Sequence, residues 1–250
     1  MSGLDDRPPP VPGPVLMSQD WRNLAFLHWA VDPDLVRPLL PEGVAPDLLD
    51  GRTYVGLVPF TMVDAGPGRE HPVPWLGTFL ETNVRLYSRD RWGRPGVVFR
   101  SLDCDRLGVV LGARAGFGTP YRWARMRHDV LPHADGVRHH WASRVRWPRE
   151  DAHATDSRPS TRIDLVVGER RTPTELDVFL TARWALHTTV AGRPLYIRNS
   201  HGPWPLHDAR LLDLDDELVA AAGLPGVTDR EPDHVAFSPG VHTVFTFPRR

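Results

Sequence analysis

Three polar side chains alternate along one short stretch of the sequence, residues 78–88. Glu81, Asn83 and Arg85 share one face of the expected strand, with an aromatic residue beyond each end of the row. A carboxyl group can act as an acid or a base, and a guanidinium can hold a ligand carboxylate through paired hydrogen bonds. Inside a barrel this row would form the polar floor of a pocket. On an outer surface it would be a solvated face with cross-strand ion pairs, and the alternation alone fits both.

Other residues that could do chemistry do not form a recognisable site. His139 and His140 are adjacent, and neighbours on a strand point to opposite faces, so they cannot share one metal ion without distortion. His201 and His207 flank a turn without an evident third ligand. Cys104 lies between two aspartates, which would raise the pKa of its thiol rather than activate it. No Gly-rich phosphate loop is present. The sequence therefore predicts neither a metal nor a cofactor.

Composition narrows the chemistry and the partners. The chain has 250 residues, and all 30 of its Lys+Arg residues are arginine. Because arginine stays protonated, a lysine-type imine with a substrate carbonyl is excluded. The net charge of −1 favours neither nucleic acid nor an anionic membrane as a partner. A single cysteine, no apparent signal peptide and no long apolar run predict a cytoplasmic protein. A small-molecule ligand is the expected partner, and a homo-oligomer is compatible with the composition.

The alternation of apolar residues and the turn residues predict one α+β domain. Residues 1–16 are rich in proline and predict a flexible arm, and residues 17–250 form the domain. About ten mostly antiparallel strands would build a large sheet, closed or nearly closed, with a few short helices. The predicted strands span 21–31, 53–64, 78–88, 96–103, 121–131, 137–147, 161–168, 183–190, 194–199, 206–215 and 234–247, and the predicted helices span 33–40, 105–117, 173–181 and 216–222.

Three local features carry more specific expectations. Pro59 within a strand predicts a sheet edge or a bulge, because proline cannot donate a ladder hydrogen bond. Glycines spaced by four from Gly108 to Gly116 would line one helix face and allow close packing on the sheet. Thr172 followed by Glu175 predicts a capping box at the start of a short helix.

Five segments, in order, resemble the YqjF-like proteins, an uncharacterised family with the acetoacetate decarboxylase-like fold. The resemblance covers roughly residues 17–247 and implies a β-cone or double-layered antiparallel barrel with an internal cavity. It does not supply a reaction. The segments are DWRNLAFLHWAV (20–31), LLPEGVAPDLLDGRTYVGLVPFTM (39–62), ETNVRLYSRD (81–90), GVVFRSLDCDRLGVVLGARAGFGTPYRWARM (96–126) and HGPWPLHDARL (201–211).

The same resemblance suggests which residues surround the cavity. The decarboxylases carry a Pro-Lys-Lys run whose first lysine forms the imine, whereas this chain has Pro120, Tyr121 and Arg122 there. Glu81 matches the cavity glutamate of those enzymes. The resemblance thus implies that the cavity persists without imine chemistry, with Glu81 and Tyr121 as the catalytic candidates. The substrate-binding candidates are Asn83, Arg85, Arg122, His28, His201 and Trp204.

Two main hypotheses about function follow from these residues. The first is an enzyme without a Schiff base that acts on a small carboxylate or keto acid, with Glu81 as acid or base and Tyr121 stabilising negative charge on an oxygen. Arg85 or Arg122 would hold the carboxylate. The second is a non-catalytic protein that binds a small, partly apolar ligand, which the nine tryptophans favour mildly. A scaffold role through the proline-rich arm is a third hypothesis, without a specific motif behind it.

Overall fold

The computed structural model describes residues 7–8, 13–69, 71–148, 158–190 and 192–247. Most of the predicted arm, residues 1–6 and 9–12, lies outside the described residues. The first strand already begins at Val15 rather than at residue 21, so the last two residues of the predicted arm belong to the sheet. None of the helices in the described part of the chain has the length and apolarity that a membrane crossing requires.

The described residues form one twelve-stranded sheet in which almost all neighbours are antiparallel. The parallel pairs are those of the fifth strand with the sixth and the ninth. The predicted fold class, mostly antiparallel β with few short helices, is confirmed. The strands are β1 Val15–Val31, β2 Val44–Pro46, β3 Thr53–Pro67, β4 Phe79–Asp90, β5 Pro95–Cys104, β6 Tyr121–His133, β7 Gly136–Trp147, β8 Ser160–Arg170, β9 Ala185–Val190, β10 Arg193–His201, β11 His207–Asp216 and β12 His234–Thr246.

In the described part of the chain, four short helices connect these strands. They are α1 Pro33–Val36, α2 Leu107–Phe117, α3 Glu175–Thr181 and α4 Leu218–Ala221, and 3-10 turns span Arg37–Leu39 and Val227–Asp229. The predicted cap of α3 was two residues too early. Thr174, not Thr172, caps this helix, and Asp177 rather than Glu175 completes the capping box.

The sheet closes on itself because β5 pairs with β4 as well as with β6 and β9. One closed path runs β5-β6-β7-β8-β11-β12-β1-β3-β4. A second, shorter path runs from β5 through β9 and β10 to β12 and returns through the same β1, β3 and β4. The strands β1, β3 and β4 therefore form a wall that is common to two closed layers.

This common wall buries both faces of its strands. On β4, Val84 and Leu86 point into a packed core that also contains Trp141 and Ile163 from the longer path. The alternate residues of β4 point into the shorter path, where the row that begins at Glu81 lies. A strand shared by two interiors can carry polar side chains on a face that is nevertheless buried. The alternation in the sequence would look the same if that face were exposed to solvent.

Pro59 lies at an irregularity in the interior of the sheet rather than at an edge. The pairing of β1 with β3 shifts between Arg22 and Leu27, where β1 contains one extra residue. Asn23 in this bulge has a φ of 53°, in the left-handed region. The ladder is interrupted opposite Pro59, so proline costs no β1–β3 hydrogen bond there. Of the two predicted alternatives, the bulge is the one observed.

Helix α2 does not pack through its glycines, contrary to the prediction. Gly112 and Gly116 have open space where a side chain would be, and only Gly108 approaches a neighbour, the side chain of Leu76. The helix instead presents Val109 and Ala113 to the interior. Leu111 of the same helix is 51% exposed. The side of α2 that packs against the interior is therefore adjacent to the side that carries the glycines.

Candidate functional site

A cavity of about 500 Å³ lies within the shorter closed layer. Its walls are mainly aliphatic and aromatic and come from strands of both the common wall and the β9–β10 hairpin, with α2 on one side. Such a volume is within the range of ~300–1,000 Å³ that holds small organic ligands. The side chains with polar groups that line the cavity are Gln19, Glu81, Asn83, Arg85, Thr119 and Tyr121.

Glu81 and Tyr121 form a hydrogen-bonded pair in the cavity wall. The Tyr121 hydroxyl donates to Oε2 of Glu81 over 2.7 Å. Burial raises the pKa of Glu81 to about 7, although hydrogen bonds from Tyr121 and Asn83 act to lower it. Burial and the neighbouring Glu81 raise the pKa of Tyr121 well above its ordinary value. At neutral pH the pair therefore combines a carboxyl group that can gain or lose a proton with a phenol that stays protonated.

Asn83 is next in the row and orients the carboxyl group of Glu81. Its side chain is 4% exposed and hydrogen-bonds Glu81. Among the described residues, Oδ1 of Asn83 has no hydrogen-bond partner although it is buried. A buried acceptor without a partner is costly, so a donor group of a ligand would be favoured beside it.

Arg85 is half-buried at the far end of the row. Its Nε donates to the hydroxyl of Tyr87 over 3.1 Å, and Nη2 donates to the carbonyl oxygen of Leu180 over 3.0 Å. The guanidinium carbon lies 5.5 Å from the ring centroid of Phe26. Within the described residues Arg85 forms no ion pair with a carboxylate. The cavity therefore contains a cation whose charge is balanced by dipoles and aromatic faces alone.

The junction between α2 and β6 places Tyr121. The helix ends at Gly118, which has a φ of 61° and lies so close to the carbonyl of Thr189 that a side chain would not fit. Tyr121 then pairs with Leu102 of β5, and its carbonyl accepts a hydrogen bond from Arg114 over 2.8 Å. The parallel β5–β6 pairing thereby brings Tyr121 beside the row on β4.

Three of the predicted binding residues do not line the cavity. Arg122 is 2% exposed and forms an ion pair with Asp103 over 2.7 Å, on the opposite side of β6 from Tyr121. Successive residues of a strand alternate between faces, so Tyr121 and Arg122 cannot both reach the cavity. His201 is buried between Trp184 and Trp204. His28 lies behind Arg85, where its Nε2 is 2.7 Å from the hydroxyl of Tyr87.

Trp204 does line the cavity, as the resemblance implied. Its indole N–H donates to the carbonyl of Thr181 over 3.0 Å, and its ring stacks on Trp21 with centroids 5.9 Å apart. The structure therefore gathers Glu81, Asn83, Tyr121 and Trp204 around one cavity with Arg85. Their roles in binding or catalysis remain proposals.

The two histidines of each pair considered in the sequence, His139 with His140 and His201 with His207, lie in different environments. His139 stacks on His128 and Trp141 in the core, whereas His140 faces Asp164 at 3.1 Å on the other side of β7. His207 contacts the carbonyl of Gly168, away from the environment of His201. Across the residues that the structure describes, no three metal-ligating side chains cluster.

The sole cysteine is protonated rather than activated. Cys104 is fully buried, and burial, more than the carboxyl groups nearby, raises the pKa of its thiol.

Several residues of the cavity wall were not predicted from the sequence. Gln19 and the aromatic rings of Phe99, Phe117 and Phe245 come from four distant parts of the chain. Nothing local distinguishes them from ordinary core residues, because their common feature is only that the closed sheet brings them to one space. Tyr87 was recognised only as an aromatic end of the row, although it contacts Arg85 directly.

One family model and one curated protein each match most of this chain. The model of the DUF2071 family, described as an uncharacterized conserved protein, matches residues 18–242. The uncharacterized protein YqjF of Bacillus subtilis (strain 168) is 30% identical over 194 residues, which are 78% of this chain and 76% of that protein.

Two solved structures show the same fold at low sequence identity. The enduracididine biosynthesis enzyme MppR, solved in complex with pyruvate, has a TM-score of 0.57 and 16% identity, over 96% of this chain and 91% of MppR. Acetoacetate decarboxylase from Legionella pneumophila has a TM-score of 0.57 and 15% identity, over 94% of this chain and 88% of the decarboxylase. The fold is therefore acetoacetate decarboxylase-like, as the resemblance implied.

Proposed function

The chain belongs to the DUF2071 family, and from this premise we propose that it is an enzyme that acts on an organic acid or keto acid by acid–base chemistry. One observation carries the proposal. Arg85, without a carboxylate partner among the described residues, and Glu81, with a pKa raised to about 7, lie on the same face of β4 and line one apolar cavity. A carboxylate anchor and a titratable group are thus held in fixed relation by a single strand.

Arg85 would hold the carboxylate of the ligand. Its Nε and Nη2 already donate to Tyr87 and Leu180, which leaves the remaining N–H groups for a ligand. The apolar walls lower the local dielectric, so the attraction between a guanidinium and a carboxylate is stronger there than in water. The apolar body of the ligand would lie against rings such as Trp204 and Phe99.

Glu81 and Tyr121 would then carry out proton transfer. Ionised Glu81 would take a proton from a carbon next to the ligand's ketone. The electron pair of that C–H bond would form a carbon–carbon double bond, and the π pair of the carbonyl would move onto the ketone oxygen. Tyr121, which stays protonated, would turn its hydroxyl hydrogen from Glu81, now neutral and a weaker acceptor, to the resulting enolate oxygen. Return of the proton from Glu81 to carbon restores both partners. A carboxyl pKa near the working pH suits a group that must both accept and donate a proton.

This chemistry differs from imine catalysis. The chain has no lysine side chain to form an imine, and Tyr121 and Arg122 stand where the decarboxylases carry their lysines. MppR, which shares the fold, was solved with pyruvate. The fold neighbours therefore support a keto acid as the ligand class, whereas this chain's own residues support a different way of handling it.

The geometry of β4 favours an acid longer than pyruvate. Glu81 and Arg85 are four residues apart, which is a backbone rise of ~13 Å on a strand. An acid with its carboxylate on Arg85 would need several bonds to bring a ketone to Glu81. The cavity of about 500 Å³ has room for such a chain.

Hydrogen exchange at carbon tests the proposal directly. We would incubate the protein in D2O with 3-oxo-, 5-oxo- and 7-oxooctanoate and follow deuterium incorporation beside the ketone by NMR. The wild-type protein should accelerate exchange for at least one isomer. Glu81→Gln should lower that rate by roughly 100-fold or more while the acid still binds, because removal of a general base typically costs 10²–10⁴. Arg85→Gln should weaken binding of every isomer.

Glu42→Gln is the matched control, since Glu42 is exposed and outside the cavity. It should leave exchange and binding unchanged. Exchange that is unaffected by both Glu81→Gln and Tyr121→Phe would overturn the proposal.

The second candidate function is a binding protein without catalysis. The observation that favours it is the small number of polar groups among the residues that line the cavity. An octanoate derivative that binds to Arg85 but shows no exchange above the solvent rate would support this function over the first.

A further inference from the structure

A chain of four buried side chains lies behind Arg85, on the side away from the cavity. The Tyr87 hydroxyl is 2.7 Å from Nε2 of His28, and Nδ1 of His28 is 2.9 Å from Nδ1 of His234. Nε2 of His234 is in turn 2.8 Å from Oδ1 of Asp177. All four residues are less than 9% exposed, and they come from β4, β1, β12 and α3. Distant segments thus converge on one continuous hydrogen-bonded path.

The ionised end of this path is Asp177. Burial acts to raise its pKa, but hydrogen bonds from His234 and Thr174 outweigh burial and hold the pKa well below its ordinary value. Arg171 also pairs with Asp177. Nε2 of His234 lies 2.8 Å from the Asp177 carboxylate, which only accepts hydrogen bonds, and 3.3 Å from Nη2 of Arg171, which only donates. The shorter contact assigns a hydrogen to Nε2, because an unprotonated Nε2 would place two acceptors 2.8 Å apart.

The direction of every further hydrogen bond follows for neutral rings. Nδ1 of His234 is then an acceptor, so Nδ1 of His28 must donate to it. Nε2 of His28 is left unprotonated. The Tyr87 hydroxyl also lies 2.9 Å from the carbonyl oxygen of Leu180, but its one hydrogen goes to Nε2 of His28, because that contact is shorter, 2.7 Å, and two lone pairs would otherwise face each other there. Burial, and after it the cations near His28, keep the pKa of His28 well below its ordinary value, which agrees with a neutral ring. All the donors along the path therefore point from Tyr87 towards Asp177.

Arg85 receives the other end of this path. Because Tyr87 donates its hydrogen to His28, its oxygen lone pairs are available to Nε of Arg85, 3.1 Å away. Donation of its own hydrogen also makes a hydroxyl oxygen a better acceptor. The second acceptor for Arg85, the carbonyl of Leu180, lies on α3, which carries Asp177 as well. Helix α3 thus supports the guanidinium directly through Leu180 and carries Asp177, the far end of the path that reaches Tyr87.

We propose that Tyr87, His28, His234 and Asp177 are positioning residues that orient Arg85 for carboxylate binding. This inference rests on the proposed function, since it assumes that Arg85 holds the carboxylate. None of the four residues touches the ligand. They hold the guanidinium in one orientation through oriented hydrogen bonds, so that its free N–H groups face the cavity before the ligand arrives. Preorganised donors bind more tightly than donors that must be ordered on binding.

The test compares an acid with its neutral isostere. Octanoate and octanamide have nearly the same shape, but only octanoate carries the charge that Arg85 would bind. We would measure both dissociation constants by NMR titration. Tyr87→Phe should weaken octanoate roughly 10-fold, as expected for loss of one hydrogen bond to a charged group, and leave octanamide within about twofold. Asp177→Asn should weaken octanoate in the same selective way, by roughly three- to tenfold.

Two further variants separate positioning from general packing. Tyr54→Phe is the matched control, because Tyr54 packs on the same ring, Phe179, as Tyr87 does. This variant should change the dissociation constant of neither octanoate nor octanamide. In the Arg85→Gln background, Tyr87→Phe should cause no additional loss of octanoate affinity, since its effect passes through Arg85.

The outcomes distinguish this inference from the proposed function. Octanoate that binds to the wild-type protein and loses affinity in Arg85→Gln, but not in Tyr87→Phe, overturns the positioning role alone. Equal weakening of octanoate and octanamide by Tyr87→Phe also overturns it, because that result indicates only a packing role. Octanoate binding that is absent, or is the same in the wild-type protein and Arg85→Gln, removes the proposed function and with it this inference.

Discussion

Glu81 is buried, and burial shifts its titration into the neutral range although a phenol and an amide hydrogen-bond its carboxyl group. Burial penalises the charged form, so the folded protein holds the carboxyl proton more tightly than the unfolded chain does. The pKa rises from an ordinary value of 4.5 to about 7. A single residue thus links the chemistry proposed for the cavity to the stability of the fold.

The stability of the protein should therefore depend on pH through Glu81. Between pH 4.5 and about 7 the folded state binds more protons than the unfolded state, so the free energy of unfolding falls as pH rises. The stabilising contribution of Glu81 is fully present below pH 4.5 and is lost above about pH 7. It amounts to about 3 kcal/mol. Glu81→Gln should remove this dependence, and it should stabilise the protein at pH 8 relative to the wild type but not at pH 4.5.

Urea unfolding at pH 4.5, 6 and 8 measures this effect as a difference between variant and wild type. Other groups titrate in both proteins and cancel in the difference. Glu42→Gln, at an exposed position, should give curves parallel to the wild type at all three pH values. A difference between Glu81→Gln and the wild type that is constant with pH would contradict the raised pKa.

Helix α3, which has seven residues, supports the site from outside the cavity. Its backbone carbonyls hold Arg85 through Leu180 and Trp204 through Thr181. Asp177, at its third position, both completes the capping box and accepts from His234. The start of this short helix is therefore coupled to the orientation of two side chains that line the cavity.

Thr174 and Thr172 distinguish the observed cap from the one that the sequence predicts. The hydroxyl of Thr174 accepts from the backbone N–H of Asp177 over 3.2 Å and donates to its carboxylate over 2.7 Å. Thr174→Ala should lower the free energy of unfolding by about 1 kcal/mol, the typical value of an N-cap. Thr172 is exposed and outside the helix, so Thr172→Ala should change it by less than about 0.5 kcal/mol. Denaturant unfolding of both variants checks this, and a larger loss for Thr172→Ala would favour the earlier cap.

The two closed layers of the molecule have different interiors. The longer layer encloses a packed core, and the shorter layer encloses the cavity. The strand β1 belongs to both, so its successive side chains enter different compartments. Leu27 packs into the core, whereas Leu24 lines the cavity.

This division predicts unequal costs for the same substitution on one strand. Leu27→Ala should lower the free energy of unfolding by about 3 kcal/mol or more, because it leaves a void among close-packed neighbours. Leu24→Ala should cost clearly less, since part of the leucine surface already faces the cavity and makes no contacts there. Parallel urea unfolding of the two variants measures this. Equal costs would mean that the cavity is closed by repacking in solution.

Much of the fold was accessible from patterns along the chain. Most strands were predicted within a few residues, because their alternation and turn residues are local properties. The cap of α3 was misplaced because two threonines precede the helix at nearly equivalent positions, and the hydrogen bonds of Asp177 decide between them. Packing of α2 through its glycines was predicted from spacing alone, and spacing does not show which helix face meets the sheet.

The candidate site was only partly accessible in the same way. Glu81, Asn83 and Arg85 were recognised as a row, and Tyr121 through the resemblance. Arg122 was assigned to the cavity although it follows Tyr121 on a strand and must face the other way. The path from Tyr87 to Asp177 could not be predicted, because its members are separated by up to 206 residues between His28 and His234.

Most of the strands, the polar row on β4 and the exclusion of lysine imine chemistry follow from residue types and their order alone. These depend on residue type and on a side-chain period of two, which every strand obeys wherever it lies. The closed fold is what places the row beside a cavity and Arg85 against a buried histidine path. The physical reason is that a strand specifies which side chains share a face, whereas the closure of β5 onto β4 and β9 specifies what lies opposite that face.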